Sequence, residues 1–588
     1  MKSLFRYRSF LLLSAAALAA APKARAQCSM PAESEFKVSQ IIPNRTMSNP
    51  DHMTVLPNGE IFAVEQWSGK VWHYTPGGST QQVGTVPTNA GAMVEDGMLG
   101  IAVDPQYAKN KWIYIYHTPA ALGTTQLDRY TFANNQLTSP KKIIELPRQK
   151  GPSGLDQRHA GGGLDFNPRT GDLFMSIGDD TYPLNEITRW GPRDPTNEYA
   201  TALRTSANTN DLRGKVLRIR PMPFADTESP SPGVGRTYTI PPGNLFPAGT
   251  DKTRPEIYTM GTRNAYRVKV DSLTGWMFTG EVGADADDYD AAKGPPGFDH
   301  IFMAKAASNF GWPFVNGNME PYVVRDYEKD YIAAGMKVGD KFDLAKPKNI
   351  SKFNTGLTDL PPTAPPLVWY SAKGLQKGIP QKLGSGSETV IIGPTYNFDP
   401  NNASAVKMPP FFHRKVIFGD YSRHYLWLMS LDAEGNLTAL DRIRASVNMT
   451  DIHMGPDGSI YLLDYDGGGV SSIQYTGSQK DYKACSFIKE GCTDPKFAEY
   501  DKAANLHVAT KCVTPVSLRP GTAGAPHRML PAFAFSGQRL TLPKGMTGAE
   551  AFDVRGNRVA SVKGKAGETV ELPARTADGV TLVRFTRD

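Results

Sequence analysis

One phrase recurs along this chain and limits what it can fold into: a Gly or Pro turn, a short apolar or aromatic run, then another turn. It reads Leu56-Pro57-Asn58-Gly59-Glu60-Ile61-Phe62-Ala63-Val64, and again Leu99-Gly100-Ile101-Ala102-Val103-Asp104-Pro105 leading to Trp112-Ile113-Tyr114-Ile115-Tyr116. It returns as Leu164-Asp165-Phe166-Asn167-Pro168 leading to Leu173 through Asp179, and last as Met454-Gly455-Pro456-Asp457-Gly458 leading to Ile460 through Asp464. Each copy is a strand, a tight turn and a strand, too small to bury a face alone, which is the mark of radial repetition in a β-propeller. Further strand groups around Tyr258 to Phe278 and Val416 to Leu428 bring the expected count to six blades. The fold class expected is therefore all-β, a six-bladed β-propeller, and the 56 Gly and 46 Pro residues supply its turns.

The blades are expected within residues 27–478, with a Lys-, Asp- and Pro-rich insertion at 314–366 that reads as a long loop over one face. A cysteine-containing linker at 479–530 and a small C-terminal β-sandwich at 531–588 follow, the latter from the alternation in Ala551 to Val559 and Thr581 to Phe585. Residues 1–26 read as a cleaved secretory signal: a basic start, the apolar run Phe10 to Ala21, then Ala24-Arg25-Ala26 before Gln27. That run is about half the roughly 20 residues a spanning helix needs. A periplasmic or secreted location follows, and there Cys28, Cys485, Cys492 and Cys512 are expected to form two disulfides in one of three pairings.

Of the formal net charge of +7, five positive charges lie in the signal segment, at Lys2, Arg6, Arg8, Lys23 and Arg25, leaving +2 on the remainder. No basic stripe suggests a nucleic-acid partner. No Gly-x-Ser-x-Gly elbow, paired-carboxylate motif or His-Glu-x-x-His zinc site stands out, which argues against hydrolase and zinc chemistry.

What remains is a set of residues at strand ends. His159 precedes Ala160-Gly161-Gly162-Gly163, a run expected to leave room beside the imidazole for a flat ligand. Gly178-Asp179-Asp180, one hairpin later, offers a carboxylate to take the second ring N–H of His159 and fix its tautomer. Arg263, after the strand Glu256-Ile257-Tyr258, offers a guanidinium for a ligand carboxylate or for developing negative charge. The turn Glu281-Val282-Gly283-Ala284-Asp285 is rich in oxygen donors of the kind hard cations take.

Eight motifs in order resemble the glucose/sorbosone dehydrogenase family of quinoprotein propellers. They are Gly97-Met98-Leu99-Gly100, His159-Ala160-Gly161-Gly162, Gly178-Asp179, Leu212 through Ile219, Gly261-Thr262-Arg263-Asn264, Glu281-Val282-Gly283, Asn309-Phe310-Gly311-Trp312-Pro313 and Gly455-Pro456-Asp457-Gly458. The resemblance implies pyrroloquinoline quinone (PQQ) and Ca2+ as cofactors, with an aldose or related sugar oxidised at its anomeric carbon. It implies His159 as general base, Asp179 as its orienter and Arg263 beside the quinone oxygen that gains charge. Glu95, His159, Arg263, Asn264 and Arg423 would contact the quinone, and the carbonyls of Gly283 and Ala284 would bind calcium. Glu95-Asp96 stands where relatives place Gln, Ala284 where they place Pro, and Arg423 is the basic residue of the late blades, with Arg442 and Arg444 as further cations. The second reading is a catalytically inactive propeller that binds carbohydrate or a protein partner through the same face.

Overall fold

The computed structural model describes residues 29–478 apart from 90–94, 122, 149–157, 182–188 and 375–382, together with parts of 490–586. Six sheets form the blades of a β-propeller: five are four-stranded and antiparallel, and the third blade is six-stranded, with Ser308–Asn309 added in parallel to Ile257–Met260. Their first strands are Pro50–Val55, Met98–Val103, Leu164–Asn167, Asn264–Val270, Val390–Tyr396 and Asp451–Met454. Blade 6 takes its outermost strand from the start of the described chain: Phe36–Ile42 pairs with Gly469–Tyr475, so the ring closes by joining its two ends.

Burial explains the patterning. Inner strands such as Ile61–Glu65 and Asp172–Ile177 are buried throughout, because neighbouring blades cover both of their faces. Outer strands such as Gln136–Pro147 alternate between exposed and half-buried over their first half. In each blade the loop before the first strand and the loop after the second open at the same end of the ring, because successive strands run antiparallel. Glu95, His159, Gly178 to Asp180, Arg263, Glu281 to Ala284 and Arg423 all lie in or beside such loops.

The insertion is more than a loop. It holds a two-stranded ribbon, Val315–Asn316 with Glu320–Pro321, and a short helix, Lys329–Ala333. Phe314, Tyr322, Val324, Tyr331, Phe342 and Leu360 join one apolar core with blades 2 and 3. Arg193 pins it from below: Nε donates to Glu328 at 2.6 Å, Nη1 to the Pro313 carbonyl at 2.7 Å and Nη2 to the Val323 carbonyl at 3.1 Å.

The chain divides into two compact units at Val516/Ser517. The second unit contains a three-stranded antiparallel sheet of Arg558–Lys563, Gly548–Asp553 and Val580–Thr586, and a pair of Arg539–Thr541 with Thr569–Glu571. Cys492 and Cys512 form a disulfide. Cys28, Cys485 and the signal segment lie outside the described residues.

Candidate active site

His159 leads into the first strand of blade 3 with φ of 57°, in the left-handed region that few non-glycine residues occupy. The Glu95 carboxylate steadies it, accepting from the N–H of His159 and, at 3.3 Å, from that of Ala160. The glycines that follow do not provide space for a ligand. A Cβ at Gly161 would meet the Ser176 carbonyl oxygen at 2.6 Å, and one at Gly162 the Leu99 carbonyl oxygen at 2.4 Å. The run lets two neighbouring strands approach this loop closely, which corrects the expected opening.

The imidazole is buried, and its Nδ1 lies 2.6 Å from Asp179 Oδ1. Thr181 donates to the same oxygen through its N–H at 3.0 Å and its hydroxyl at 2.8 Å, while Trp312 Nε1 donates to Oδ2 at 2.9 Å. Burial alone would raise the Asp179 pKa. The facing imidazole, the Arg263 charge and the Trp312 donor outweigh it and hold this carboxyl below the usual carboxylate range. Asp179 therefore stays an acceptor and keeps the ring proton on Nδ1. The other ring nitrogen, Nε2, makes no hydrogen bond among the described residues.

Arg263 comes from the start of blade 4, and its carbonyl accepts from Asp179 N–H at 2.6 Å, tying blades 3 and 4 together at this point. Its guanidinium donates to Asp285 Oδ2 at 2.8 Å and to the Val282 carbonyl at 3.2 Å, and its own N–H donates to Glu281. Burial works against its charge, but Asp285, Asp179, Glu95 and Glu281 more than restore it and raise its pKa above the ordinary arginine value. Asn264 bridges the loops: Oδ1 accepts from Gly161 N–H at 3.1 Å, and Nδ2 donates to Glu95 at 3.4 Å. Loops from blades 2, 3 and 4 thus bring Glu95, His159, Asp179, Arg263 and Asn264 together.

The Gly283 and Ala284 carbonyl oxygens accept no hydrogen bond from the described residues. Gly283 N–H donates to Asp299 at 2.9 Å, which fixes the turn. Among the described residues no three His, Cys, Asp or Glu side chains group as metal ligands. A cation here would rest on the two free carbonyls, a donor type suited to a hard divalent ion. These carbonyls are of the donor type a hard cation takes, and Arg263 supplies positive charge of the kind an anionic ligand pairs with.

Arg423 lies at the same end of the ring but is otherwise engaged. Its guanidinium donates to the carbonyls of Ser387, Leu383, Ser371 and Gly386 at 3.1, 2.9, 3.0 and 2.8 Å, holding its own blade's loop. Arg442 and Arg444 sit on the outermost strand of blade 5 and face Glu33 and the Phe36 carbonyl. Two residues escaped the sequence reading: Trp312, present in a quoted motif but given no role, and Thr181, whose hydroxyl two residues after Asp179 is a spacing that favours local side-chain bonds. A larger cavity of about 550 Å3 opens at the opposite end of the ring, where Asp165 and His453 line it. None of the residues gathered around His159 reaches it.

Lys215 lies behind this group, donating to the carbonyls of Thr205, Ser206 and Arg213 at 2.8, 3.0 and 2.8 Å. Burial pushes its pKa down to about 7, against the opposing pull of Asp211. An unfolded lysine titrates near 10.4. Between those values the unfolded chain holds a proton that the folded chain has shed, so Lys215 makes stability rise with pH across that window. Denaturant unfolding at about pH 7.5 and 9.5 is expected to show the wild type gaining on Lys215→Met at the higher pH. An unchanged gap between the two proteins would contradict this.

A buried histidine–aspartate pair and a fixed guanidinium thus meet at one end of a six-bladed propeller. Residues 47–337 match the family model described as Glucose / Sorbosone dehydrogenase. The chain is 26% identical over 284 residues to an uncharacterized protein of Synechocystis sp., covering 47% of this chain and 58% of that protein. It is 24% identical over 489 residues to quinoprotein glucose dehydrogenase B of Acinetobacter calcoaceticus, covering 78% of this chain and 91% of the relative. Among solved structures, the PQQ-bound aldose sugar dehydrogenase of Streptomyces coelicolor is similar at a TM-score of 0.45 and 17% identity, covering 75% of this chain and 97% of that one.

Proposed function

We propose that this protein is an oxidoreductase that oxidises an aldose or related sugar at its anomeric carbon, using PQQ and Ca2+. The observation that carries the proposal is His159: Nδ1 is held by Asp179, Nε2 makes no hydrogen bond among the described residues, and the loop of Arg263 and Asn264 is bonded to Asp179 and Gly161 on either side of this group. The family match and the quinoprotein relative support the same chemistry.

His159 Nε2 takes the proton of the anomeric hydroxyl, and the Asp179 carboxylate stabilises the imidazolium that results. Thr181 and Trp312 keep that carboxylate in place. Arg263 and Asn264 would hold the quinone, and the Gly283 and Ala284 carbonyls would hold the calcium. When bound, the quinone supplies a two-electron acceptor for the hydride from the anomeric carbon, and calcium polarises it as a Lewis acid. The chain's own contribution is position and charge.

The direct test is dye reduction by purified protein supplied with PQQ, Ca2+ and glucose or sorbosone. Sugar-dependent activity that chelation removes and Ca2+ restores is expected. No activity with any aldose, at saturating quinone, would favour the inactive propeller, which the locked Arg423 guanidinium also favours. Trp312→Phe keeps an aromatic ring but removes the donor to Asp179, and a fall in kcat/KM of roughly three- to tenfold is expected, about the value of one typical hydrogen bond. An unaltered kcat/KM would show that Asp179 needs no such support.

We place the protein in the periplasm or outside the cell. N-terminal sequencing of the mature protein should begin at Gln27, and a start at Met1 would contradict this. Among the described residues no helix is long and apolar enough to cross a membrane.

A further inference from the structure

Aromatic side chains form an arc over blades 1, 6 and 5, at the same end of the ring as His159. Trp67, 38% exposed, follows the second strand of blade 1, Tyr465 that of blade 6, and Tyr421 that of blade 5. The Trp67 and Tyr465 rings meet edge to face with centroids 6.4 Å apart. Each tyrosine ring is oriented by its hydroxyl: Tyr465 donates to Gln66 Oε1 at 2.6 Å, and Tyr421 donates to Asp466 Oδ2 at 2.8 Å. The arc begins beside the site. Gln66 Nε2 donates to the Asp96 carbonyl at 3.1 Å, and its own carbonyl accepts from Met98 N–H at 2.7 Å. Asp96 adjoins Glu95, which caps the His159 loop.

We infer that this arc is a subsite for the non-reacting rings of an oligosaccharide whose reducing end lies at His159. Sugar rings present C–H bonds on their faces and hydroxyls around their rims. Fixed aromatic rings complement the first, and the exposed Ser68 and Asp466, each next in sequence to one of them, complement the second. An apolar protein partner would instead call for a contiguous patch, which these interleaved polar groups break up. The inference rests on the proposed sugar oxidation and deepens it, naming a substrate of three or more rings.

The test compares cellotriose and maltotriose with glucose in the loaded enzyme. At least one trisaccharide should be used with kcat/KM about tenfold above glucose, because contacts to rings that do not react are expressed in the transition state. Trp67→Ala and Tyr465→Ala should each lower that trisaccharide-to-glucose ratio by about the same factor. Calorimetry of the apoprotein with both trisaccharides gives a second readout, and binding should weaken in Trp67→Ala while circular dichroism is unchanged. If glucose is oxidised but the ratio is near one and insensitive to Trp67, the subsite is wrong and the sugar oxidation stands. If no sugar is oxidised, calorimetry decides: binding that Trp67→Ala weakens sustains the subsite, and absence of binding overturns it.

Discussion

Replacing His159 with Ala is expected to lower sugar-dependent kcat/KM by about 10²- to 10⁴-fold, the usual contribution of a positioned general base. The substitution removes Nε2, which makes no hydrogen bond among the described residues. Because His159 sits at φ of 57°, alanine also carries a backbone cost there, and a loss of activity could be confused with a disturbed loop. His159→Asn separates the two causes, since asparagine accepts left-handed backbone far better than most residues but has no basic nitrogen. Both variants should lose the activity, and the Asn variant should keep wild-type stability more closely. Activity that survives in His159→Asn would remove the proposed base.

The second large effect is structural. Arg193 and Glu328 form an ion pair with both side chains wholly buried, and the remaining guanidinium donors go to the carbonyls of Gly191, Pro313 and Val323. Glu328→Ala leaves that charge buried without its partner, which costs about 3 to 5 kcal/mol. Denaturant unfolding should show the loss, and Arg193→Met combined with Glu328→Met should recover most of it, because an apolar pair avoids the stranded charge. The effect reaches the site along the chain. Arg193 grips the carbonyl of Pro313, next to Trp312, whose indole holds Asp179. Glu328→Ala should therefore also depress kcat/KM, while a stability loss under 1 kcal/mol would show that the pair contributes little.

The ring was legible in the sequence because hairpins repeat their chemistry: Asn58-Gly59 and Asp457-Gly458 each mark the turn between the first two strands of a blade. Where insertions stretch the repeat, the register was harder to read. The strand group from Tyr258 to Phe278 straddles a boundary, with Ile257–Met260 closing blade 3 and Asn264–Val270 opening blade 4. The group from Val416 to Leu428 belongs to the second and third strands of blade 5, whose first strand, Val390–Tyr396, is interrupted by Gly393-Pro394. The strand pattern in Ala551 to Phe585 was legible too, although the described strands form two separate sheets in a second unit.

The site was legible where partners are close in sequence or lie at the ends of paired strands, as with His159 and Asp179. It was not legible where the partner arrives from far along the chain. Nothing local shows that Trp312 crosses to Asp179, or that Glu95 holds the His159 loop instead of facing a ligand with both oxygens. Arg423 shows the opposite failure. Its charge and position suggested a free cation, but its loop turns five nearby carbonyls toward it.

The most direct measurement is a spectral titration of the apoprotein with PQQ in the presence of Ca2+. The quinone site proposed on the loops of blades 2, 3 and 4 predicts a saturable absorbance change, weakened at least tenfold by Arg263→Ala, and a further change on adding an aldose. A quinone spectrum that stays that of the free molecule at every protein concentration would contradict the account.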